Sequence, residues 1–296
     1  MPQITSKTPK LIIYHASCSD GFAAALAAKM YFDSLNHGNE EKLSCEFYAA
    51  KHGYEPPDCQ NKDVYIVDFS YKKKQIIDLC EDAEHVTIID HHISAQRDLE
   101  GLENKIDNLD IIFDMSHSGA VLSWQFFHET PVPLLFKYIE DRDIWKFELD
   151  DTDDILAAVS ANKMSFKLWL SWINDETSLK ALKNEGSILN RSKQQQIDKY
   201  LKRARISQIA GYTVPVVNAP SNIVSDLLQI LSKDYPFAIS YEDREDRRVW
   251  QLRSSGKNAE DVSEVAKLFG GGGHKNASGF STPLIQLPAE IMNKPS

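Results

Sequence analysis

Three short apolar runs, each ending in polar residues and each leading into a helix-like stretch or a loop, constrain this chain more than any other feature. "KLIIYH" (10–15) stops at "ASCSDG" and gives way to the alanine-rich "FAAALAAKMYF", which has strong helix propensity. "DVYIVDFS" (63–70) is followed by "KKKQIIDLCED", whose Ile76, Ile77 and Cys80 fall at helical spacing, and "HVTIIDHH" (85–92) repeats the strand signal. Short apolar strands alternating with helices predict parallel βαβ units covered on both faces. Ligands of such sheets bind beyond the carboxyl ends of the strands, where His15, Asp68 and Asp90 stand.

The chain has 296 residues, beyond the size at which one core stops growing, so two domains are expected. Residues 118–147 read as helical, as "GAVLSWQFF" and "PLLFKYIEDRDIWKF" separated by "ETPVP". Residues 151–205 are amphipathic and rich in Lys, Gln and Glu, and "LKNEGSILNRSKQQQIDKYLKRA" reads as one long helix. Beyond it "YTVPVVNA", "PFAISYE" and "VWQLRSS" read as strands, with "NIVSDLLQILS" and "EDVSEVAKLFG" as helices. The predicted architecture is α/β: a doubly wound, mainly parallel domain over 1–155, a helical connector over 156–205 and a smaller α/β domain over 206–296.

Composition narrows the chemistry. A net charge of −10 without a Lys/Arg-rich block opposes binding of a long nucleic acid, while a small anion remains a suitable ligand if a metal ion supplies positive charge locally. Four cysteines without a C-x-x-C pair suggest reduced thiols. No apolar run approaches a membrane span and "MPQITSKTPK" lacks a secretory apolar core, so a cytoplasmic location without membrane contact is expected.

His15, Asp20, Asp68, Asp90, His91, His92 and Asp141 form a carboxylate and imidazole set suited to Mn²⁺ or Mg²⁺ rather than to structural zinc. Two ions bridged by one carboxylate can activate water for phosphoryl displacement, and Asp68 on the middle strand is the natural bridge. The consecutive Asp90, His91 and His92 imply that the chain has left the sheet, because a continuing strand would send neighbours to opposite faces. In "FGGGGHKNASGF" (269–280), Gly271, Gly272 and Gly273 could offer backbone N–H groups to an anion, with His274 beside them. Arg253 carries a planar fork suited to phosphate. "MSHSGAV" sets Ser116, His117 and Ser118 at a helix start, where hydroxyls cap and free N–H groups accept anions.

Taken in order, His15, Asp20-Gly21, Asp68, Asp90-His91-His92, Asp141 and Gly270 to His274 resemble the DHH phosphoesterase superfamily, in its branch with a C-terminal DHHA1 domain. The tripeptide and "GGGGHKNASGF" carry the likeness, which spans residues 11 to about 281. It implies a two-Mn²⁺ phosphodiesterase, with Mg²⁺ or Co²⁺ as substitutes. His15, Asp20, Asp68, His91 and Asp141 would be ligands, Asp90 would support a ligand histidine, and His92 would contact the scissile phosphate. Arg253, the glycine loop and His274, with Ser118, would bind substrate. One departure stands out: where the family usually has the first aspartate of a D-x-D pair, this chain has Cys18. The cysteine could be a thiolate ligand, could leave one ion weakly held, or could shift the metal preference. "EDRDIW" also offers Glu140 and Asp143 beside Asp141, with Asp143 the reserve. The implied partner is a linear dinucleotide or very short oligoribonucleotide, and a homodimer is left open. A 3',5'-bisphosphate nucleotide phosphatase, a cyclic dinucleotide phosphodiesterase and a nucleotide-binding module that has lost turnover are the alternatives.

Overall fold

The computed structural model describes residues 8–37, 42–173 and 175–284. The chain forms two compact units, divided between Leu189 and Asn190.

In the first unit, β1 (Lys10–His15), β2 (Cys45–Ala50), β3 (Asp63–Val67), β4 (His85–Asp90) and β5 (Leu109–Phe113) form one sheet in the order β2-β1-β3-β4-β5. All four pairings are parallel, with Tyr14 opposite Val67 and Val67 opposite Ile89. This order places the topological switch between β1 and β3, where a crevice opens beyond the strand ends. His15 ends β1 and Asp68 follows β3, so two of the candidate residues flank the switch.

The central strands are buried on both faces, which explains their unbroken apolar runs. β2 and β5 are edges with mixed exposure and carry no comparable run, so the sequence pattern does not announce them. Helix α1 (Ser19–Asn36) follows β1, and its Phe22 to Ala28 are all buried. Helices α2 (Lys73–Asp82) and α3 (Ile93–Leu99) follow β3 and β4.

Helices α4 (Gly119–Phe127), α5 (Leu134–Asp143), α6 (Thr152–Ala161) and α7 (Phe166–Ile173) complete a core in which Phe22 stacks on Phe166 at 4.8 Å and meets Trp169 edge-on at 4.9 Å. Each such aromatic pair adds about 0.5–1.5 kcal/mol beyond the area it buries. Within the segment read as a connector, Trp169, Trp172 and Leu182 belong to this core. The long helix α8 (Glu176–Leu201) is continuous, and its Ile197 packs with the core of the second unit.

The second unit contains β6 (Arg205–Ile209), β7 (Tyr212–Asn218), α9 (Ser221–Leu231), β8 (Ala238–Asp243), β9 (Arg247–Arg253), α10 (Val262–Lys267), β10 (Gly272–His274) and β11 (Ala277–Pro283). Its strands form a mixed sheet in the order β10-β11-β9-β8-β7-β6, in which only the β7–β8 pair is parallel. Among the described residues, no helix is long and apolar enough to cross a membrane.

Candidate metal centre

Three strand ends deliver the centre. His15 ends β1, Cys18 stands in the turn after it and Asp20 in the first turn of α1, Asp68 follows β3, and Asp90 ends β4 with His91 and His92 directly after it. Ser17 and Asp68 both have positive φ, at 58° and 53°. Left-handed backbone costs a non-glycine residue roughly 1–2 kcal/mol, and here it turns these segments out of the sheet.

Asp68 is buried at the middle of the cluster. The His91 ring Nε2 lies 3.1 Å from Asp68 Oδ1, 3.6 Å from Asp20 Oδ2 and 3.5 Å from Asp143 Oδ2. On the other side His15 Nδ1 stands 3.6 Å from Asp68 Oδ2. Three donor groups result, His15 with Cys18 and Asp68, Asp20 with His91 and Asp143, and Asp68 with Asp90, His91 and His92; in each, the ligand atoms lie within 4.8 Å of one another. Asp68 belongs to the first and the third, and its Oδ1 meets the His91 of the second at 3.1 Å.

The donors fit divalent ions on grounds internal to the structure. Asp68 Oδ2 is buried without a hydrogen-bond partner, a costly state for a carboxylate that a cation would relieve. Like charges crowd the cluster. Burial, then the charge of Asp68, raises the Asp20 carboxyl well above its ordinary value and raises Asp143 as well. Burial and the same charge push the Cys18 thiol up to about 12. For Asp68 burial acts upward too, yet the nearby imidazoles of His15 and His91 prevail and hold it down at about 2. A cation at the centre would reverse the repulsion and favour the ionised forms of Asp20, Asp143 and Cys18. Carboxylate and imidazole suit Mn²⁺ or Mg²⁺, and the single sulfur is the one soft donor.

Two glycines set the spacing. A Cβ on Gly119 would stand 2.4 Å from Asp68 Cβ, and one on Gly21 would stand 2.5 Å from the His15 carbonyl oxygen. The start of α4 therefore packs directly on Asp68 and donates to Asp20, Gly119 N–H at 2.7 Å and Ala120 N–H at 3.0 Å. Helix N-terminal amides favour an anion at this position.

Asp90 supports a different ring from the one expected. Its Oδ1 accepts from the His92 ring Nδ1 at 2.7 Å and from the backbone N–H of His91 and His92, and its Oδ2 accepts from Ser70 Oγ at 2.7 Å. The carboxylate thus orients His92, while His91 is held through its main chain. That hydrogen bond raises the His92 imidazole to about 9, against the effect of burial. Ser70 carried no signal of its own in the sequence.

Asp141 does not join the cluster. Its carboxylate accepts from Glu148 N–H at 2.7 Å, Leu149 N–H at 3.3 Å and Thr152 Oγ at 2.5 Å, so it builds the turn after α5. Glu140 is likewise engaged, by His117, Ser118 N–H and Lys146. Asp143 is the residue of "EDRD" that faces His91. Ser118 is fully buried and caps α4 by accepting from Val121 N–H at 3.4 Å, so it serves the frame rather than a ligand. Ser116 bonds Asp114.

The floor of the centre (Asp20, Asp68, Asp90) is buried, whereas His15, His92 and Asp143 keep side-chain exposures of 29%, 44% and 30%, which leaves one side open. A cavity of about 120 Å³ lined by His52, Phe69, Ser70, Lys72, Asp90 and His92 adjoins it. His52 stacks on Phe69 at 4.6 Å.

In the second unit Arg253 is half-buried at the end of β9, and its Nη1 donates to the Leu252 carbonyl. Gly272 to His274 form β10, paired antiparallel with Ala277 to Gly279. A Cβ on Gly271 would lie 2.2 Å from the Gly279 carbonyl oxygen and one on Gly273 2.6 Å from that of Ala277, so close strand packing accounts for these two glycines. His274 is exposed.

No family model matches the chain. An uncharacterized protein of Acanthamoeba polyphaga mimivirus is 29% identical to it over 305 residues, which cover 95% of this chain and 69% of that one. Among solved structures, the pGpG-specific phosphodiesterase PggH from Vibrio cholerae is similar with a TM-score of 0.51 and 12% identity, covering 94% of each chain. A manganese-bound exonuclease RecJ is similar with a TM-score of 0.51 and 14% identity, covering 93% of this chain and 86% of that one. With the parallel sheet, its switch-point cluster and the second mixed sheet, this chain has the fold of the DHH phosphoesterases.

Proposed function

We propose that this chain is a divalent-metal-dependent phosphodiesterase that hydrolyses linear dinucleotides or very short oligoribonucleotides. The observation that carries this reading is the buried Asp68 carboxylate, whose unpartnered Oδ2 lies in the His15 and Cys18 group and whose Oδ1 lies 3.1 Å from the His91 of the Asp20 and Asp143 group, so that one carboxylate stands between the two groups, as two-metal chemistry would need. His15, Cys18 and Asp68 would hold one ion, and Asp20, Asp68, His91 and Asp143 the other. When bound, the two ions supply Lewis acidity for activating water and neutralising charge at phosphorus.

The chain's own residues do the rest. Asp90 fixes the His92 ring by its Nδ1, which leaves Nε2 to donate to a phosphoryl oxygen on the open side. The α4 amides keep Asp20 in place. In the second unit, Arg253, Gly271 to Gly273 and His274 are assigned to substrate binding. A small cavity beside His92 and a net charge of −10 favour a short substrate over a long nucleic acid. The likeness to a pGpG-specific enzyme supports a dinucleotide, and the likeness to manganese-bound RecJ supports Mn²⁺.

The test is a screen with Mn²⁺, Mg²⁺ and Co²⁺ on linear dinucleotides, oligoribonucleotides of increasing length, cyclic dinucleotides and 3',5'-bisphosphate nucleotides, read by product length. Fastest turnover is expected on the shortest linear substrates with Mn²⁺. Nucleotide binding without metal-dependent hydrolysis of any of them would overturn the reading.

A further inference from the structure

Helix α5 ends on Asp143, and the chain beyond it takes an unusual path. Trp145 and Phe147 both lie in left-handed backbone, with φ of 58° and 50°, a region bulky residues rarely occupy. The path is imposed by Asp141, whose carbonyl oxygen accepts from Lys146 N–H at 2.9 Å and Phe147 N–H at 3.1 Å while its carboxylate binds the amides that follow. The outcome is a pair of presented rings: Trp145 is 78% exposed, Phe147 is 42% exposed, and their centroids stand 5.4 Å apart at 70°. Lys146 between them is engaged by Glu140 at 3.0 Å.

Strain that turns a tryptophan toward water, instead of letting it fold onto the core, fits a site that needs an aromatic face. Position supports this. Trp145 is two residues from Asp143, a separation of at most about 7 Å between their Cα atoms, and the Asp143 carboxylate lies 3.5 Å from His91. The backbone that carries Trp145 therefore lies next to a residue of the metal centre.

We infer that Trp145 is a specificity-determining residue that stacks on the nucleobase attached to the phosphate at this centre, with Phe147 bracing the indole edge-on. The inference rests on the phosphodiesterase reading for the location of the phosphate. Every nucleobase has a π-face, so the platform favours nucleotides over bare sugar phosphates and discriminates weakly among bases.

Isothermal titration of the Mn²⁺-loaded full chain with guanosine 5'-monophosphate and with ribose 5-phosphate tests this directly. Trp145→Ala should weaken the nucleotide by about tenfold or more and leave ribose 5-phosphate unchanged. Trp145→Phe should retain most of the nucleotide affinity, and Phe147→Ala should lose less than Trp145→Ala. Metal content, measured in parallel, should match wild type in all variants. An equal loss for both ligands would make the loop a support for the metal centre and overturn the inference. So would unchanged nucleotide affinity, including the case in which Trp145→Ala alters only the oligomeric state. Absence of hydrolysis in the substrate screen together with Trp145-dependent nucleotide binding would refute the phosphodiesterase reading and leave this one standing.

Discussion

Asp141 and Asp143 stand two residues apart on one helix and serve separate purposes: the first holds the turn that follows α5, and the second faces His91 across 3.5 Å. Two helical steps rotate a side chain by about 200°, so residues so spaced cannot share a target.

That division makes opposite outcomes for one conservative change. Asp143→Asn should lower metal content from about two ions per chain toward one and leave thermal stability intact or slightly raised, because it removes a carboxyl that its neighbours repel. Asp141→Asn should retain metal and melt about 2–6 °C lower, as expected for weakening a buried acceptor of several bonds in a unit of this size. Plasma emission metal analysis and calorimetry on the two proteins decide the matter, and the reverse pattern would restore Asp141 as the ligand.

Asp68→Asn should abolish both proposed metal sites together, since one oxygen of its carboxylate lies 3.1 Å from His91 and the other 3.6 Å from His15. Metal-dependent hydrolysis is expected to fall by at least about 10³-fold, the scale on which loss of a positioned charge acts, with circular dichroism unchanged. A variant that still bound one ion tightly would show that the carboxylate is not shared.

Burial and the charge of Asp68 push the Cys18 thiol up to about 12, so a proton must leave before the sulfur can bind an ion. The sign follows: apparent metal affinity should rise with pH between roughly 6 and 8, by about tenfold per unit for each proton displaced. With Co²⁺ a near-ultraviolet thiolate band should grow over the same range and vanish in Cys18→Ala. A band that never appears would remove the sulfur from the ligand set.

Gly119→Ala places a methyl group 2.4 Å from Asp68 Cβ, a distance that requires the start of α4 or the Asp68 turn to move. Metal affinity should drop by about tenfold or more even though no donor atom is changed, in the way small misplacements are felt at positioned sites. Gly101→Ala, where nothing lies within 4 Å, controls for the loss of a glycine: its own φ of 69° costs stability but should spare the metal.

The sequence was most legible where burial is two-sided. β1, β3 and β4 are covered on both faces, so their apolar runs are unbroken and their polar ends stand out. β2 and β5 border the sheet, and their mixed exposure dilutes the pattern. In "PLLFKYIEDRDIWKF" the helical pattern continues past Asp143, but hydrogen bonds to Asp141 pull the chain out of the helix, an effect that depends on Thr152 and on amides later in the chain. Local periodicity does not register such a tertiary acceptor. The same limit applies to Asp90: adjacency in the tripeptide does not tell which imidazole the carboxylate will hold.

The Asp90 contact has one further consequence. Because the carboxylate accepts from His92 Nδ1, that nitrogen keeps its proton whether the ring is charged or neutral, and the tautomer is settled by the fold. Protonation and deprotonation of His92 then occur at Nε2 alone. Under the proposed phosphodiesterase function, that single atom would be the one to give a proton to a departing oxygen and take one back before the next turnover.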